Sequence, residues 1–196
     1  SRSFHYSSSF TLESGTLSES NKIWTEMATS ASGDTTSVAT ITVPDSWATA
    51  MKSYNGMTYY ADTAAVMIGE NPYASLRDAA LAATSGDTIT LNADVTVTNK
   101  GILSGDVNSA VITLPDGATL DGKGHTISAA ADWEKTSDSK IKNHILGVTA
   151  ATTTGVTIQN VTIVGHGSTK HGINAWTGEG DAGKVALSNV TIQNCG

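Results

Sequence analysis

The sequence has few charged residues, one cysteine and no long apolar run, and each shortage excludes a class of protein. Charged residues make up 15% of the 196 residues, against about a quarter in ordinary globular domains. A chain so poor in charge and rich in Thr, Ser, Gly and Val favours strands and turns over helices. The single cysteine, Cys195, excludes an internal disulfide framework and a cysteine-based metal cluster.

The charge balance and the apolar runs also limit the partners. The formal net charge of −7 argues against binding to nucleic acid or attraction to anionic membranes. No apolar run approaches the ~20 residues that cross a bilayer, so we expect no membrane insertion. The opening residues, SRSFHYSSSF, lack the apolar segment of a signal peptide. They fit a secreted chain whose signal has been removed, or a sequence that omits it.

One pattern occurs twice near the end of the sequence. Residues 156–167 read VTIQNVTIVGHG, and residues 185–196 read VALSNVTIQNCG. The two segments share Val, Asn, Val, Thr, Ile and Gly at equivalent positions, 29 residues apart. Repetition at a period of about 20–50 residues is typical of stacked-repeat proteins.

Alternation inside each copy indicates short strands joined by a corner. Val156 and Ile158 alternate with polar residues, and after the next asparagine the phase shifts, so that Val161 and Ile163 form a second inward pair. A phase break between two alternating runs predicts a strand, a corner and another strand. The second copy repeats these inward positions at Val185, Leu187, Val190 and Ile192.

This pattern resembles the right-handed parallel β-helix of the pectin-lyase-like superfamily, and the resemblance covers residues 66–196. The fold class it implies is all-β, a right-handed parallel β-helix with a short N-terminal capping α-helix. It also implies that Asn160 and Asn189 stack as a side-chain ladder at one corner of successive turns. It does not imply one activity, because this fold serves lyases, hydrolases, tailspikes and adhesins alike.

Residues 75–84 are predicted to form the capping helix. Ser75 and Asp78 have the spacing of a capping box, and an apolar helical face follows them. Gly86 lies where a C-cap glycine is expected. The preceding IG-x-x-x-Y-x-S-L segment resembles one that comes before such helices in secreted bacterial β-helix proteins. A helix there would cover the unpaired backbone groups and aliphatic side chains at the end of a parallel coil.

The sequence divides after residue 65. Residues 1–65 form a Ser- and Thr-rich extension, predicted to contain a strand at 37–43 and a brief helical turn within 47–55. Residues 66–196 hold the capping helix and the turns of the coil, whose C-terminal end is predicted to be uncapped. The inward positions predicted before the repeat are Ile89, Leu91, Val95, Val97, Ile112, Leu114, Leu120 and Ile127.

Two catalytic patterns of the superfamily are incomplete in this sequence. Gly165-His166-Gly167 matches a short motif of polygalacturonases, whose Asn-Thr-Asp and Asp-Asp partners do not occur here. Pectate lyases need clustered aspartates for Ca²⁺ and a basic residue on the wall. Here Asp121 stands alone on the predicted turns, and Arg77 belongs to the capping helix. We therefore expect a non-catalytic chain that needs no cofactor and holds no metal.

Two loops offer an aromatic side chain beside carboxylates, a common arrangement for holding a sugar. Trp176 lies in the loop NAWTGEGDAGK with Glu179 and Asp181, and Trp133 lies in a polar insertion at 128–143. If both loops leave the same side of the coil, they would form one groove. The alternative is that each indole packs its own loop against the wall.

Three functions fit these features. The first is a bacterial extracellular module, secreted or attached to the cell wall, for adhesion, carbohydrate recognition or structural display. Its partner would be a glycan or another cell-surface ligand. The second is a polysaccharide lyase or glycoside hydrolase with catalytic turns beyond these residues. The third is a structural subunit whose uncapped end is covered by a strand of a neighbouring chain, drawn from its Ser- and Thr-rich residues 1–43.

Overall fold

The fold is described from a computed structural model, and strands predominate in it beside a single helix in the described residues. The chain is therefore broadly all-β. Within that part of the chain, no helix combines the length and the apolar character needed to cross a membrane. The described residues are 9–11, 23–25, 40–42, 48–51, 58–61, 64–100, 110–134, 143–148, 154–167, 169, 171–175 and 184–195.

The elements of these residues are short, and most are strands of three to five residues. In chain order they are β1 (Ser9–Thr11), β2 (Ile23–Thr25), β3 (Thr40–Thr42), β4 (Ala48–Met51), β5 (Thr58–Ala61), β6 (Val66–Ile68), β7 (Asn71–Tyr73), α1 (Leu76–Ala82), β8 (Thr88–Leu91), β9 (Val95–Val97), β10 (Ala110–Leu114), β11 (Thr119–Asp121), β12 (Thr126–Ala129), β13 (His144–Val148), β14 (Val156–Val164), β15 (His171–Asn174) and β16 (Val185–Gln193).

The first five strands form two small sheets. β1 pairs in parallel with β3, and β5 lies between β2 and β4 in an antiparallel sheet. The strand predicted at 37–43 is confirmed by β3. The brief helical turn predicted at 47–55 is wrong for Ala48–Met51, which form β4 with Met51 opposite Tyr59, and the rest of that range lies outside the described residues. Pairing with a neighbouring strand has overridden the local preference, as it often does in sheets.

The largest sheet is mainly parallel and has β14 at its centre. β14 pairs on one side with both β11 and β12, and on the other side with β16 alone. β8 extends the sheet beyond β11, and β9 extends it beyond β12. β6 and β7 complete one edge in antiparallel pairing. A third sheet orders β10, β13 and β15 in parallel.

The register of these pairs places aliphatic residues over one another in three columns. Burying one such side chain contributes about 1.5–3 kcal/mol, so the columns are a main source of stability. The eight inward positions predicted before the repeat are confirmed, because none of these side chains is more than 8% exposed. The columns consist of Ile89, Leu120, Ile158 and Leu187, of Val95, Ile127, Ile163 and Ile192, and of Ile112, Leu146 and Ile173.

The second copy of the repeat differs from the prediction in its burial. Ile158 and Ile163 are fully buried, whereas their partners Leu187 and Ile192 are 53% and 44% exposed. The positions in the columns are as predicted, but the side chains remain open to solvent. The reason is that none of the described strands pairs with the outer edge of β16.

The helix predicted at 75–84 is confirmed as α1. Ser75 is its N-cap, and its hydroxyl accepts a hydrogen bond from the amide of Asp78 at 3.1 Å and donates to the Asp78 carboxylate at 2.5 Å. Leu76, Ala79 and Ala80 form the buried face. This face packs against β10, β6 and β7, so the helix is held mainly by the burial of its apolar side.

The C-terminal end of α1 differs from the prediction. Ala83 is the C-cap, and its amide donates to the Ala79 carbonyl at 2.8 Å. The chain then turns, because the Asp87 carboxylate accepts a hydrogen bond from the Thr84 amide at 2.7 Å and another from the Thr84 hydroxyl at 2.9 Å. Gly86, predicted as the C-cap glycine, has a φ of +89° within this turn into β8.

Candidate functional site

A ladder of polar side chains marks the corner inside β14 and β16. Asn160 and Asn189 both have a φ of 53°, in the left-handed region that asparagine adopts more readily than most residues. The Asn189 side-chain amide donates to the Asn160 side-chain carbonyl at 3.2 Å. The Asn160 amide in turn donates to the Asp121 carboxylate at 3.1 Å. The ladder therefore has one direction, since each amide donates toward the preceding strand.

Asp121 is the third member of this ladder, and the sequence did not predict that role. Besides Asn160, its carboxylate accepts hydrogen bonds from the Lys123 backbone amide and from the Gln159 side chain, each at 3.0 Å. The Lys123 amide is the main cause of the lowered pKa of Asp121, with burial opposing it and the Asn160 and Gln159 amides assisting. The carboxylate is therefore held ionised by donors of the fold itself.

A polar surface lies beside this corner and is the candidate ligand-binding face. Its side chains alternate with buried residues along the strands, and neighbouring strands are about 4.8 Å apart. Hydroxyl and amide groups on such a surface can both donate and accept hydrogen bonds. We call this surface the polar wall; it consists of Thr88, Thr90, Thr119, Asp121, Thr157, Gln159 and Ser188.

A shallow cleft of about 460 Å³ borders the polar wall where β14 and β16 begin. The Asp116 carboxylate fixes one side by accepting hydrogen bonds from the Thr154 and Gly155 amides at 3.1 and 2.7 Å. Gly155 has a φ of +102°, and a Cβ atom there would lie 3.0 Å from the Lys184 Cβ. Glycine thus permits both the turn and the close approach. The cleft is lined by Gly117, Thr154, Gly155, Val156, Thr157, Lys184, Val185 and Ala186.

The loop predicted to bind a sugar follows β15 in the sequence. Trp176, Glu179 and Asp181 lie outside the described residues. The first described residue after them, Lys184, lines the cleft. Their role in ligand binding stays a prediction.

Trp133, the other predicted aromatic, lies in the hydrophobic core with 5% of its surface exposed. The next residue is anchored to the end of β9, because the Glu134 amide donates to the Asn99 side chain at 2.8 Å and the Glu134 carbonyl accepts from it at 3.0 Å. The Trp133 indole nitrogen has no hydrogen-bond partner in the described part of the chain. Stacking on a sugar would require this ring to be uncovered first.

Two further features could hold a ligand or an ion. His144 is buried, and its ring stacks on that of His171 with centroids 4.8 Å apart. Across the described ranges, no cluster of three or more His, Cys, Asp or Glu residues is arranged to hold a metal. A mostly apolar cleft of about 180 Å³ lies between the start of α1, β9 and β10, with Arg77 among its lining residues.

No family model matches the chain, and neither a curated protein nor a solved structure matches it. The described groups offer hydrogen-bond donors and acceptors on a parallel sheet, which suits binding. The carboxylate in this set, Asp121, is already engaged by the ladder.

Proposed function

We propose that this chain is an extracellular or cell-surface module for adhesion, carbohydrate recognition or structural display. We further propose that it is built as a right-handed parallel β-helix similar to the pectin-lyase-like superfamily. The observation that carries both proposals is the in-register parallel stacking of aliphatic columns inside and a polar wall outside. In this arrangement α1 would cap the first turn of the coil.

The order of the strands supports a coil of three walls. β8, β11 and the first half of β14 stack in one wall, and β9, β12 and the second half of β14 stack in the next. β10, β13 and β15 supply the third. Each wall thus receives one strand per turn. Connections between parallel strands are right-handed in about 98% of cases, which is the reason for proposing that hand.

Carbohydrate recognition is the binding function that the polar wall supports best. Sugar hydroxyls both donate and accept hydrogen bonds, and so do the threonine, serine and glutamine side chains of this surface. The cleft beside Gly155 and Lys184 would provide further contacts to the ligand. No cofactor is needed for binding of this kind. A secreted or cell-wall-attached location, where glycans are abundant, follows from the same proposal.

A second candidate is a structural subunit joined to its neighbour through strands. The exposure of Leu187 and Ile192, whose column partners are fully buried, favours it. A polysaccharide lyase or hydrolase draws less support, because the ladder engages Asp121. Such an enzyme would need catalytic turns outside the described residues.

A glycan array with two matched variants tests carbohydrate recognition. Thr157→Arg places a bulky side chain in the polar wall, whereas Thr113→Arg places the same side chain on an exposed position of β10, in a different sheet. We expect Thr157→Arg to abolish glycan binding and Thr113→Arg to retain it. Absence of binding to any glycan by the parent chain would contradict carbohydrate recognition.

Trp176→Ala in the same array tests the predicted loop. We expect loss of most of the glycan affinity, because alanine removes the aromatic face that would stack on the sugar. Trp133→Phe is the matched control, since it keeps a buried aromatic ring. Binding that survives Trp176→Ala would remove this residue from the site and leave the polar wall as its remaining part.

A further inference from the structure

The cleft between α1, β9 and β10 combines an apolar floor with a polar rim, and it shares no residue with the polar wall. Its volume is about 180 Å³. None of the aliphatic side chains that line it is more than 8% exposed, so the floor is almost closed to bulk solvent. We call this space the α1 cleft; its floor consists of Leu76, Val95, Val97, Val111 and Ile112.

The size of the α1 cleft fits a small organic molecule. Three of the five floor residues are valines, whereas leucine and isoleucine predominate in the columns. Valine has one carbon fewer than either, which leaves space under the helix. An engineered cavity of about 150 Å³ lined by aliphatic and aromatic residues stays dry and binds benzene. The α1 cleft therefore has room for one six-membered ring with a small substituent.

Arg77 places a positive charge on the rim of this cleft. Its guanidinium forms no ion pair or hydrogen bond within the described residues. Two carboxylates of the surrounding elements are engaged elsewhere. Asp78 accepts a hydrogen bond from the N-cap hydroxyl of α1, and Asp132 pairs with Lys100 at 3.8 Å and accepts from the Thr98 hydroxyl at 3.2 Å. The rim is therefore complementary to a ligand with a negative charge.

We propose that the α1 cleft binds a small aromatic or branched carboxylic acid in its ionised form. The apolar group lies on the floor, where binding removes it from water. The carboxylate lies at the rim beside Arg77, whose planar guanidinium can donate two parallel hydrogen bonds to it. The Thr96 hydroxyl on the same rim can donate to the same group. This site is independent of carbohydrate recognition, because the two surfaces use different strands.

A titration of the full chain with benzoate, followed by methyl NMR spectra, tests the position of the site. Benzoate supplies one ring and one carboxylate. We expect saturable shifts of the methyl signals of Leu76, Val95, Val97 and Val111, which line the floor. The methyl signals of Ile158, which is buried in β14, should not shift. An ionic strength of about 0.15 M limits long-range repulsion between benzoate and the negatively charged chain.

Arg77→Gln tests the role of the charge. Arg77 is exposed, so this replacement leaves the core unchanged. We expect benzoate to bind about three- to fivefold more weakly, the effect of one ion pair at a protein surface. Lys123→Gln is the matched control, because it removes the same charge from an exposed position outside the cleft. Benzyl alcohol, which has the ring without the charge, should bind the parent chain and Arg77→Gln equally well.

Three results would overturn the inference. Floor methyl signals that do not shift up to the solubility limit of benzoate would mean that the chain itself or a second copy fills the cleft. Shifts spread over the whole surface would mean that benzoate binds without a defined site. Equal benzoate affinity of the parent chain and Arg77→Gln would exclude recognition of the carboxylate. The glycan array tests the polar wall separately, so failure of one proposal leaves the other standing.

Discussion

Ile158→Ala should destabilise the protein far more than Leu187→Ala, although the two residues are partners in one column. Ile158 is fully buried between Leu120 and Leu187. The change removes three carbon groups at ~0.8 kcal/mol each, or ~2.4 kcal/mol before any cavity forms. With the cavity included, the loss lies within the range of about 2–5 kcal/mol seen for such changes in cores.

Leu187→Ala removes the same number of carbons from a side chain that is 53% exposed. The protein then loses only about half of the free energy of burying these carbons, ~1 kcal/mol, and no cavity forms. Urea unfolding followed by circular dichroism measures both losses. Equal losses at the two positions, or a loss below about 1 kcal/mol at Ile158, would refute the stacking of these columns.

Three further outcomes follow from the ladder and from the thiol. Asn160→Ala should lower the free energy of unfolding by about 2–3 kcal/mol, because it removes two side-chain hydrogen bonds and the left-handed preference. Asp121 has a lowered pKa, so its contribution to stability is full above the ordinary value of 3.8 and is lost as the pH falls through the folded value; acid titration of unfolding measures this. Burial raises the pKa of Cys195, so a thiol reagent at mildly alkaline pH should modify it more slowly than free cysteine.

Each of these outcomes has a control. Asn160→Gly keeps the left-handed backbone and should cost less than the alanine variant. Asp121→Asn should make stability less sensitive to acid below pH 3.8; an unchanged acid limb would mean that the ladder does not stabilise the ionised form. For Cys195, urea-unfolded protein should react at the rate of a free thiol. Equal rates in the folded and unfolded protein would contradict the burial.

The alternation was enough to predict the buried positions on β8, β9, β11, β12 and β14, because period-two patterning fixes which side chains face inward. The sequence did not predict Asp121 as a member of the ladder, because an aspartate differs in type from Asn160. Only the parallel register brings the two side chains together. The error at Gly86 arose because Asp87 closes the turn with its side chain. The exposure of Leu187 depends on what covers β16, and no pattern within the strand encodes that.

Less of the candidate site could be predicted than of the fold. The polar wall is made of ordinary threonines, glutamine and serine, whose significance comes from the register that aligns them. The sequence predicted aromatic residues as ligand contacts, but Trp133 lies in the core. Residue type alone does not distinguish an indole that packs in the core from one that binds a ligand.

The single long strand β14 joins two shorter ones on one side and one equally long strand on the other. Interstrand hydrogen bonds run across the strands, so a pull at the end of β16 directed away from the sheet loads them one after another. Peeling would proceed from Gln193 to the Asn189 corner and meet the side-chain bond to Asn160 there. The side-chain hydrogen bond of the ladder would then resist further peeling, while the first half of β16 is still paired with β14.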